Sequence, residues 1–127
     1  MKNYQKKLLV GYTRDQMFNM ISDIEAYENF VPFCNKLEII SRNDKKIKAN
    51  IFIGFKPIVE KYLSTVELSA PEYIRTVGKS NSEIVDHLET LWIFSNGPIN
   101  VKNSCITEFS ISFCFKTFLF SISGSNF

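Results

Sequence analysis

Three ionisable residues, Glu60, His87 and Glu89, lie within predicted β-strands and have the side chains that acid–base chemistry uses. Alternation along the strand puts Glu60 on one face with Tyr62 and several apolar residues, and a carboxylate in apolar surroundings is a candidate proton-transfer group. The alternative is that Glu60 lies near the end of its strand, in water or paired with Lys61. His87 and Glu89 share a face, either as a catalytic pair or as an ordinary surface pair. No complete catalytic set is recognisable, so we predict no catalytic residues.

Metal binding is not predicted either. The three cysteines, Cys34, Cys105 and Cys114, include no Cys-x-x-Cys spacing, and His87 is the single histidine. A structural zinc site usually needs four such ligands at suitable spacing. An odd number of cysteines without close pairing indicates a reducing compartment.

Length and composition favour one globular domain over residues 1–127. Twelve residues are phenylalanine, which predicts a wide interior lined by large rings. A net charge of +2 is too small to indicate nucleic-acid binding. No apolar run approaches the roughly 20 residues that span a bilayer. The N-terminal MKNYQKKLLVGY lacks the apolar region of a secretory signal and is too short for a mitochondrial presequence.

A helix is predicted to begin after Thr13, because Thr13 and Gln16 have the spacing of a capping box. Four apolar residues then recur at helical spacing: Met17, Met20, Ile21 and Ile24. The next stretch, DIEAYENFVPFCN at residues 23–35, contains Pro32 and cannot form one long helix. It predicts a short helix that ends in an aromatic corner, which either packs for stability or lines the rim of a cavity.

The rest of the chain predicts strands joined by short turns. The predicted strands cover residues 7–12, 37–41, 49–55, 58–68, 73–79, 84–94 and 104–115. The last alternates most clearly, with Thr107, Phe109, Ile111, Phe113 and Phe115 on one face and Glu108, Ser110, Ser112 and Cys114 on the other. This order predicts an α+β fold, in which short N-terminal helices cover one face of a curved antiparallel sheet of about six to seven strands.

Three stretches together resemble the coenzyme Q-binding protein family, a branch of the START-like, polyketide-cyclase-like superfamily with the helix-grip fold. YENFVPFC at residues 27–34 is similar to the family's Tyr-x-x-Phe-Val-Pro-Trp-Cys, with Phe33 in place of Trp. IGFKPIVEKY at 53–62 resembles Gly-Phe-Pro-Pro-Leu-x-Glu-x-Tyr. HLETLWIFSNGP at 87–98, with the aromatic last strand, is similar to His-Leu-x-Thr-x-Trp-x-Phe. The resemblance covers roughly residues 8–119 and is specific only as a combination.

The resemblance implies a non-enzymatic protein that holds ubiquinone, or a similar isoprenoid lipid, in a hydrophobic tunnel. In that family the role is to support ubiquinone synthesis and respiratory electron transport, at the matrix side of the mitochondrial inner membrane. We therefore expect ubiquinone as a bound ligand, no other cofactor, no metal, and peripheral contact with that membrane. The motifs and the apolar strand faces together predict the lining of the cavity: Phe30, Val31, Phe33, Phe55, Trp92, Phe109, Ile111 and Phe113.

The family's last strand leads into a long C-terminal helix, whereas here residues 116–127 include SISGSN, a poor helix former. We expect this helix to be truncated and one side of the cavity to be uncovered. A membrane, a partner or a homo-oligomer would then cover the apolar opening.

Two other functions fit parts of the sequence. Bacterial relatives of the family resemble a ribosome association toxin, and the basic residues that would contact RNA are Arg42, Lys45, Lys46 and Lys48, with Lys2, Lys6 and Lys7. A cyclase-type enzyme on the same fold would need Glu60, or His87 in the opposite register, as its acid–base group.

Overall fold

Seven antiparallel strands form one continuous sheet in the part of the chain that the computed structural model describes, residues 2–30, 34–55, 57–80 and 85–115. In chain order the elements are β1 (Lys2–Val10), α1 (Arg14–Ser22), a 3₁₀ turn (Ile24–Ala26), α2 (Tyr27–Phe30), β2 (Cys34–Arg42), β3 (Lys46–Phe55), β4 (Ile58–Ser69), β5 (Tyr73–Ser80), β6 (Val85–Asn96) and β7 (Cys105–Phe115). The spatial order is β1-β7-β6-β5-β4-β3-β2. The predicted α+β class with a curved antiparallel sheet is confirmed. The predicted truncated C-terminal helix concerns residues 116–127, which lie outside the described residues.

The first strand differs from its predicted bounds. It begins at Lys2 and ends at Val10, whereas alternation indicated residues 7–12. β1 pairs with β7 over its whole length, from Lys2 opposite Phe113 to Val10 opposite Cys105. Its early residues are polar because β1 is an edge strand, and lysines on an edge discourage pairing with other chains. Such a strand lacks the apolar pattern from which a strand is predicted.

The predicted capping box at the start of α1 is present. The backbone N–H of Gln16 donates to Thr13 Oγ1 at 3.2 Å, and the backbone N–H of Thr13 donates to Gln16 Oε1 at 2.9 Å. The predicted apolar stripe is wrong at Met20, which is 51% exposed, while Phe18 is buried. The buried face of α1 is centred near Ile21, and Met20 lies about 100° from that centre at 100° per residue. The orientation in which α1 docks on the sheet therefore buries Phe18 instead of Met20.

The stretch at residues 23–35 is stabilised by Tyr27. Its hydroxyl donates to the backbone carbonyl of Ile21, which joins α2 to the end of α1. Burial, with the nearby charge of Asp23, raises the pKa of Tyr27 well above its usual range. Ile24, between the two helices, is fully buried. The corner thus contributes to the core in its described part, and Val31, Pro32 and Phe33 lie outside the described residues.

The core lies between α1 and one face of the sheet, which we call the inner face. Phe18 of α1 packs edge-on against Phe94 of β6, with ring centroids 6.2 Å apart. Ile74 and Cys105 are fully buried beside them. Each large apolar side chain buried here contributes roughly 1.5–3 kcal/mol. Strand alternation assigns these residues of β4–β7 to the inner face: Glu60, Tyr62, Ser64, Val66, Leu68, Ile74, Thr76, Gly78, Leu88, Thr90, Trp92, Phe94, Cys105, Thr107, Phe109, Ile111 and Phe113.

Candidate functional site

Four of the predicted lining residues form an apolar wall on the inner face of β6 and β7: Trp92, Phe109, Ile111 and Phe113. Trp92 lies directly opposite Phe109, and their ring centroids are 4.5 Å apart. All four side chains are partly exposed. Phe94, one inner-face position further along β6, is only 2% exposed because Phe18 of α1 packs on it. The helix thus covers the end of the sheet near Phe94 and leaves the apolar wall accessible.

The inner face continues onto β1 at the edge of the sheet. Tyr4 lies opposite Ile111, and Leu8 lies opposite Thr107. Tyr4 and Leu8 are 55% and 49% exposed. Lys6, opposite Phe109, lies between them on the same face, so this edge combines exposed apolar side chains with one cation and is suited to contact a ligand, a membrane or a partner.

The other four predicted lining residues cannot be assigned to the apolar wall. Val31 and Phe33 lie outside the described residues. The backbones of Phe30 and Phe55 end α2 and β3, and their side chains also lie outside what is described. Their role in lining a cavity stays a prediction.

Polar side chains gather on the inner face where β4 meets β5. The Tyr62 hydroxyl donates to Glu60 Oε2 at 3.3 Å, so the carboxylate singled out from the sequence does face inward and is hydrogen-bonded there. Tyr62 is only 5% exposed. Burial, followed by the Glu60 charge, raises the pKa of Tyr62 to about 12, so its phenol keeps its proton near neutral pH. The pair offers acceptor oxygens to a ligand on the inner face.

Gly78 of β5 allows this polar group to pack closely. A Cβ atom at Gly78 would lie 2.9 Å from Ser64 Oγ and 3.2 Å from Tyr62 Cβ. The Ser64 hydroxyl in turn donates to the backbone carbonyl of Tyr62 at 3.2 Å. The glycine is therefore required by close approach of β4 side chains to the β5 backbone. Cross-strand register brings these residues together, and no sequence spacing indicates it.

The predicted pairing of His87 with Glu89 is wrong. Glu89 accepts from Arg75 Nε at 2.7 Å, and Arg75 also lies 3.7 Å from Glu67. His87 Nδ1 instead lies 3.1 Å from Asp86 Oδ2. Arg75 is diagonal to Glu89 across the β5–β6 pair, where a long cation reaches a carboxylate more readily than a residue on the same strand does. These groups lie on the outer face, so His87 is not available to the inner face.

One group of residues that could bind a metal ion is not indicated by sequence spacing. The ligand atoms of Asp86, His87 and Cys114 all lie within 4.8 Å of one another. The register shifts between Val85 and His87, which places Asp86 beside His87 opposite Cys114. A tetrahedral zinc site needs ligand atoms about 3.3–3.8 Å apart, given the usual bond lengths. The group faces outward, away from the apolar wall.

Two open depressions lie on the outer face and are lined by charged and apolar side chains together. One is bordered by Lys7, Leu91 and Glu108, and the other by Glu67 and Arg75. The second also carries Tyr73 and Ile93, so charged and apolar side chains alternate around it. None of the helices in the described ranges has the length and apolar character that crossing a membrane requires. The inner face carries the apolar wall of four adjacent residues and is the better candidate for binding an apolar ligand.

The seven-stranded sheet, closed at one end by α1 and carrying an open apolar wall, defines a domain of START-like helix-grip fold. The aromatase/cyclase Zhui from Streptomyces sp. R1128 has the same fold, with a TM-score of 0.76 at 14% identity over 91% of this chain and 69% of that one. The chain belongs to the polyketide cyclase / dehydrase and lipid transport family, whose model matches residues 10–122.

Curated relatives add sequence similarity to this likeness of fold. The mitochondrial coenzyme Q-binding protein COQ10 of Drosophila melanogaster is 35% identical over 93% of this chain and 48% of its own length. Further coenzyme Q-binding proteins are 28–32% identical. The ribosome association toxin RatA of Rickettsia prowazekii is 27% identical over 91% of this chain and 77% of its own length. The resemblance predicted from the motifs is confirmed, and the chain spans about half the length of the first two coenzyme Q-binding relatives.

Proposed function

We propose that the protein binds ubiquinone on its inner face and acts as a non-enzymatic lipid chaperone. The observation that carries this proposal is the partly exposed apolar wall of β6 and β7, where the rings of Trp92 and Phe109 contact each other at a tilt with centroids 4.5 Å apart. The names of the coenzyme Q-binding relatives support the choice of ligand. An isoprenoid tail gains about 0.8 kcal/mol for each methylene removed from water, so burial of a few units gives tight binding without a specific polar contact.

The same proposal includes a place and a role in the cell. By analogy with the mitochondrial relatives, the protein contacts the matrix side of the inner membrane peripherally and supports ubiquinone biosynthesis and respiratory electron transport. The exposed apolar edge at Tyr4 and Leu8 is suited to contact a membrane or a second copy of the chain.

Extraction of lipid from the purified chain tests the proposal directly. We expect mass spectrometry of the organic extract to find ubiquinone in near-stoichiometric amount. An Ile111→Lys variant places a charge on the apolar wall and is expected to lose at least nine-tenths of that lipid, because a desolvated ammonium is costly.

The matched control is Ser110→Lys, one residue away on the same strand. Ser110 lies on the outer face, opposite Gln5 of β1 and Leu91 of β6. Its variant should retain the lipid fully. Equal loss in both variants would refute the inner face as the binding surface, and a folded protein that extracts no ubiquinone would refute the ligand.

A ribosome-facing function is the second candidate, favoured by the similarity to RatA. The structure does not support one continuous basic surface, because the N-terminal lysines lie on β1 and the basic turn joins β2 to β3, at opposite edges of the sheet. Arg42 is paired with Glu25 at 2.7 Å, and Lys7 lies 3.6 Å from Glu108. RNA affinity that falls steeply with added salt would favour this candidate over lipid binding.

A cyclase-type activity is supported by the fold alone, and proteins that share a fold often differ in activity. Among the described inner-face residues of the sheet, Glu60 is the one carboxylate, and it is hydrogen-bonded to Tyr62. A proton-transfer reaction would depend on that single group. The proposal therefore remains lipid binding.

A further inference from the structure

The inner face has two chemically different parts. The β6–β7 part is the apolar wall, while the β4–β5 part carries hydroxyl groups and one carboxylate: Glu60, Tyr62, Ser64, Thr76 and Ser80. Ser64 and Thr76 are 2% and 9% exposed, and Thr90 extends the hydroxyl groups from Thr76 onto β6. An isoprenoid tail has no polar atoms and cannot form hydrogen bonds with such groups. Because the Ser64 hydroxyl donates to the Tyr62 backbone carbonyl, the Glu60–Tyr62 pair is the part of this group that is suited to the oxygen atoms of a ligand's ring.

The Glu60–Tyr62 pair accepts hydrogen bonds in preference to donating them. The Tyr62 proton is directed to Glu60 Oε2 at 3.3 Å. A phenol that donates to a carboxylate retains lone pairs on its oxygen, and an ionised carboxylate is an acceptor only. Both groups together therefore favour a ligand that brings hydroxyl protons.

We propose that Glu60 and Tyr62 bind the ring of an isoprenoid quinone and recognise the hydroxyl groups of its reduced form, the quinol. This rests on the proposed function and adds to it an orientation and a redox preference. The ring lies against β4 and β5, and the tail lies along the apolar wall. An oxidised quinone presents only acceptor oxygens and brings no hydroxyl proton for the Glu60 carboxylate to accept.

The expected preference is about tenfold in favour of the quinol, the effect of one hydrogen bond to a charged acceptor. A tenfold difference raises the two-electron midpoint potential of the bound couple by about 30 mV relative to the free couple. This potential is a useful readout, because a residue with only a structural role changes the affinity of both forms equally and leaves the potential unchanged.

The experiment titrates the full chain, under argon, with a ubiquinone that carries a two-unit isoprenoid tail and with its quinol, using calorimetry. In Glu60→Gln we expect the affinity ratio of quinol to quinone to fall to about one, because the amide also donates to the quinone carbonyl. Tyr62→Phe preserves the ring volume and is expected to reduce the ratio by several-fold. Glu67→Gln, the same change on the outer face of β4, should leave the ratio unchanged.

The outcomes separate this inference from the function on which it rests. Equal affinity of the wild-type protein for quinone and quinol, or an unchanged ratio in Glu60→Gln, overturns the inference and leaves ubiquinone binding intact. Binding of neither form by the wild-type chain overturns both. A ratio that falls in Glu60→Gln and holds in Glu67→Gln supports the assignment of the ring to the β4–β5 part.

Discussion

Replacement of Gly78 by alanine tests the close packing that positions Tyr62. The added Cβ would lie 2.9 Å from Ser64 Oγ, about 0.5 Å inside the 3.4 Å at which ordinary contact begins, and 3.2 Å from Tyr62 Cβ. The hydroxyl can rotate away by giving up its hydrogen bond to the Tyr62 carbonyl, a loss of about 0.5–1.5 kcal/mol. Tyr62 Cβ is bonded directly to the backbone and can move only with the strand.

Overpacking of this kind costs about 1–3 kcal/mol, and the entropic gain of alanine over glycine in a strand offsets about 0.5–1 kcal/mol. We therefore expect Gly78→Ala to lower the free energy of unfolding by about 1–2 kcal/mol. Denaturant titration followed by fluorescence of Trp92, the single tryptophan, measures this change.

Gly11→Ala is the control, because a Cβ at Gly11 meets nothing within 4 Å. Its unfolding free energy should be unchanged or slightly increased. Addition of Ser64→Ala to Gly78→Ala removes the shorter contact and should restore part of the loss. The reasoning fails if Gly78→Ala is as stable as Gly11→Ala.

Two further predictions concern the helix and the buried tyrosine. Phe18→Ala should lower the free energy of unfolding by about 3–5 kcal/mol, because it removes the ring that packs against Phe94. Met20→Ala, on the exposed side of α1, should change it by less than about 0.5 kcal/mol. Similar losses for the two variants in chemical denaturation would contradict the assigned buried face of α1. The pKa of Tyr62 is raised from 10.0 to about 12 by burial and Glu60, so the folded state favours the protonated phenol, and its contribution to stability is complete below pH 10 and declines between pH 10 and 12. Tyr62→Phe should lose less stability than the wild type across that range, and identical pH profiles of unfolding would show that the shift is absent.

Much of the fold could be predicted because its causes are local. Side chains alternate along a strand with a period of two, so sequence alone put Trp92, Phe109 and Ile111 on faces that the structure confirms as one surface. The capping box between Thr13 and Gln16 needs only one turn of chain. Three motif stretches were enough to indicate the family.

Other features required the assembled sheet. The pairing of Arg75 with Glu89 depends on the register of β5 against β6, and the contact of Gly78 with Ser64 depends on that of β4 against β5. Met20 is exposed although it lies on the predicted apolar stripe, because helical spacing indicates a stripe but not the direction in which the helix docks. The bounds of the edge strand β1 differ from the prediction because its lysines interrupt the alternation of apolar and polar residues.

The sequence by itself determined the elements with local causes: the start of α1 and the alternation of β4, β6 and β7. Only the tertiary structure decided that α1 buries Phe94 while Trp92 and Phe109 stay partly exposed, and that Tyr4 on β1 lies beside Ile111. These outcomes join residues far apart in the chain. Their hydrogen bonds and buried area contribute only once the whole sheet has formed, so no short stretch of sequence carries their signal.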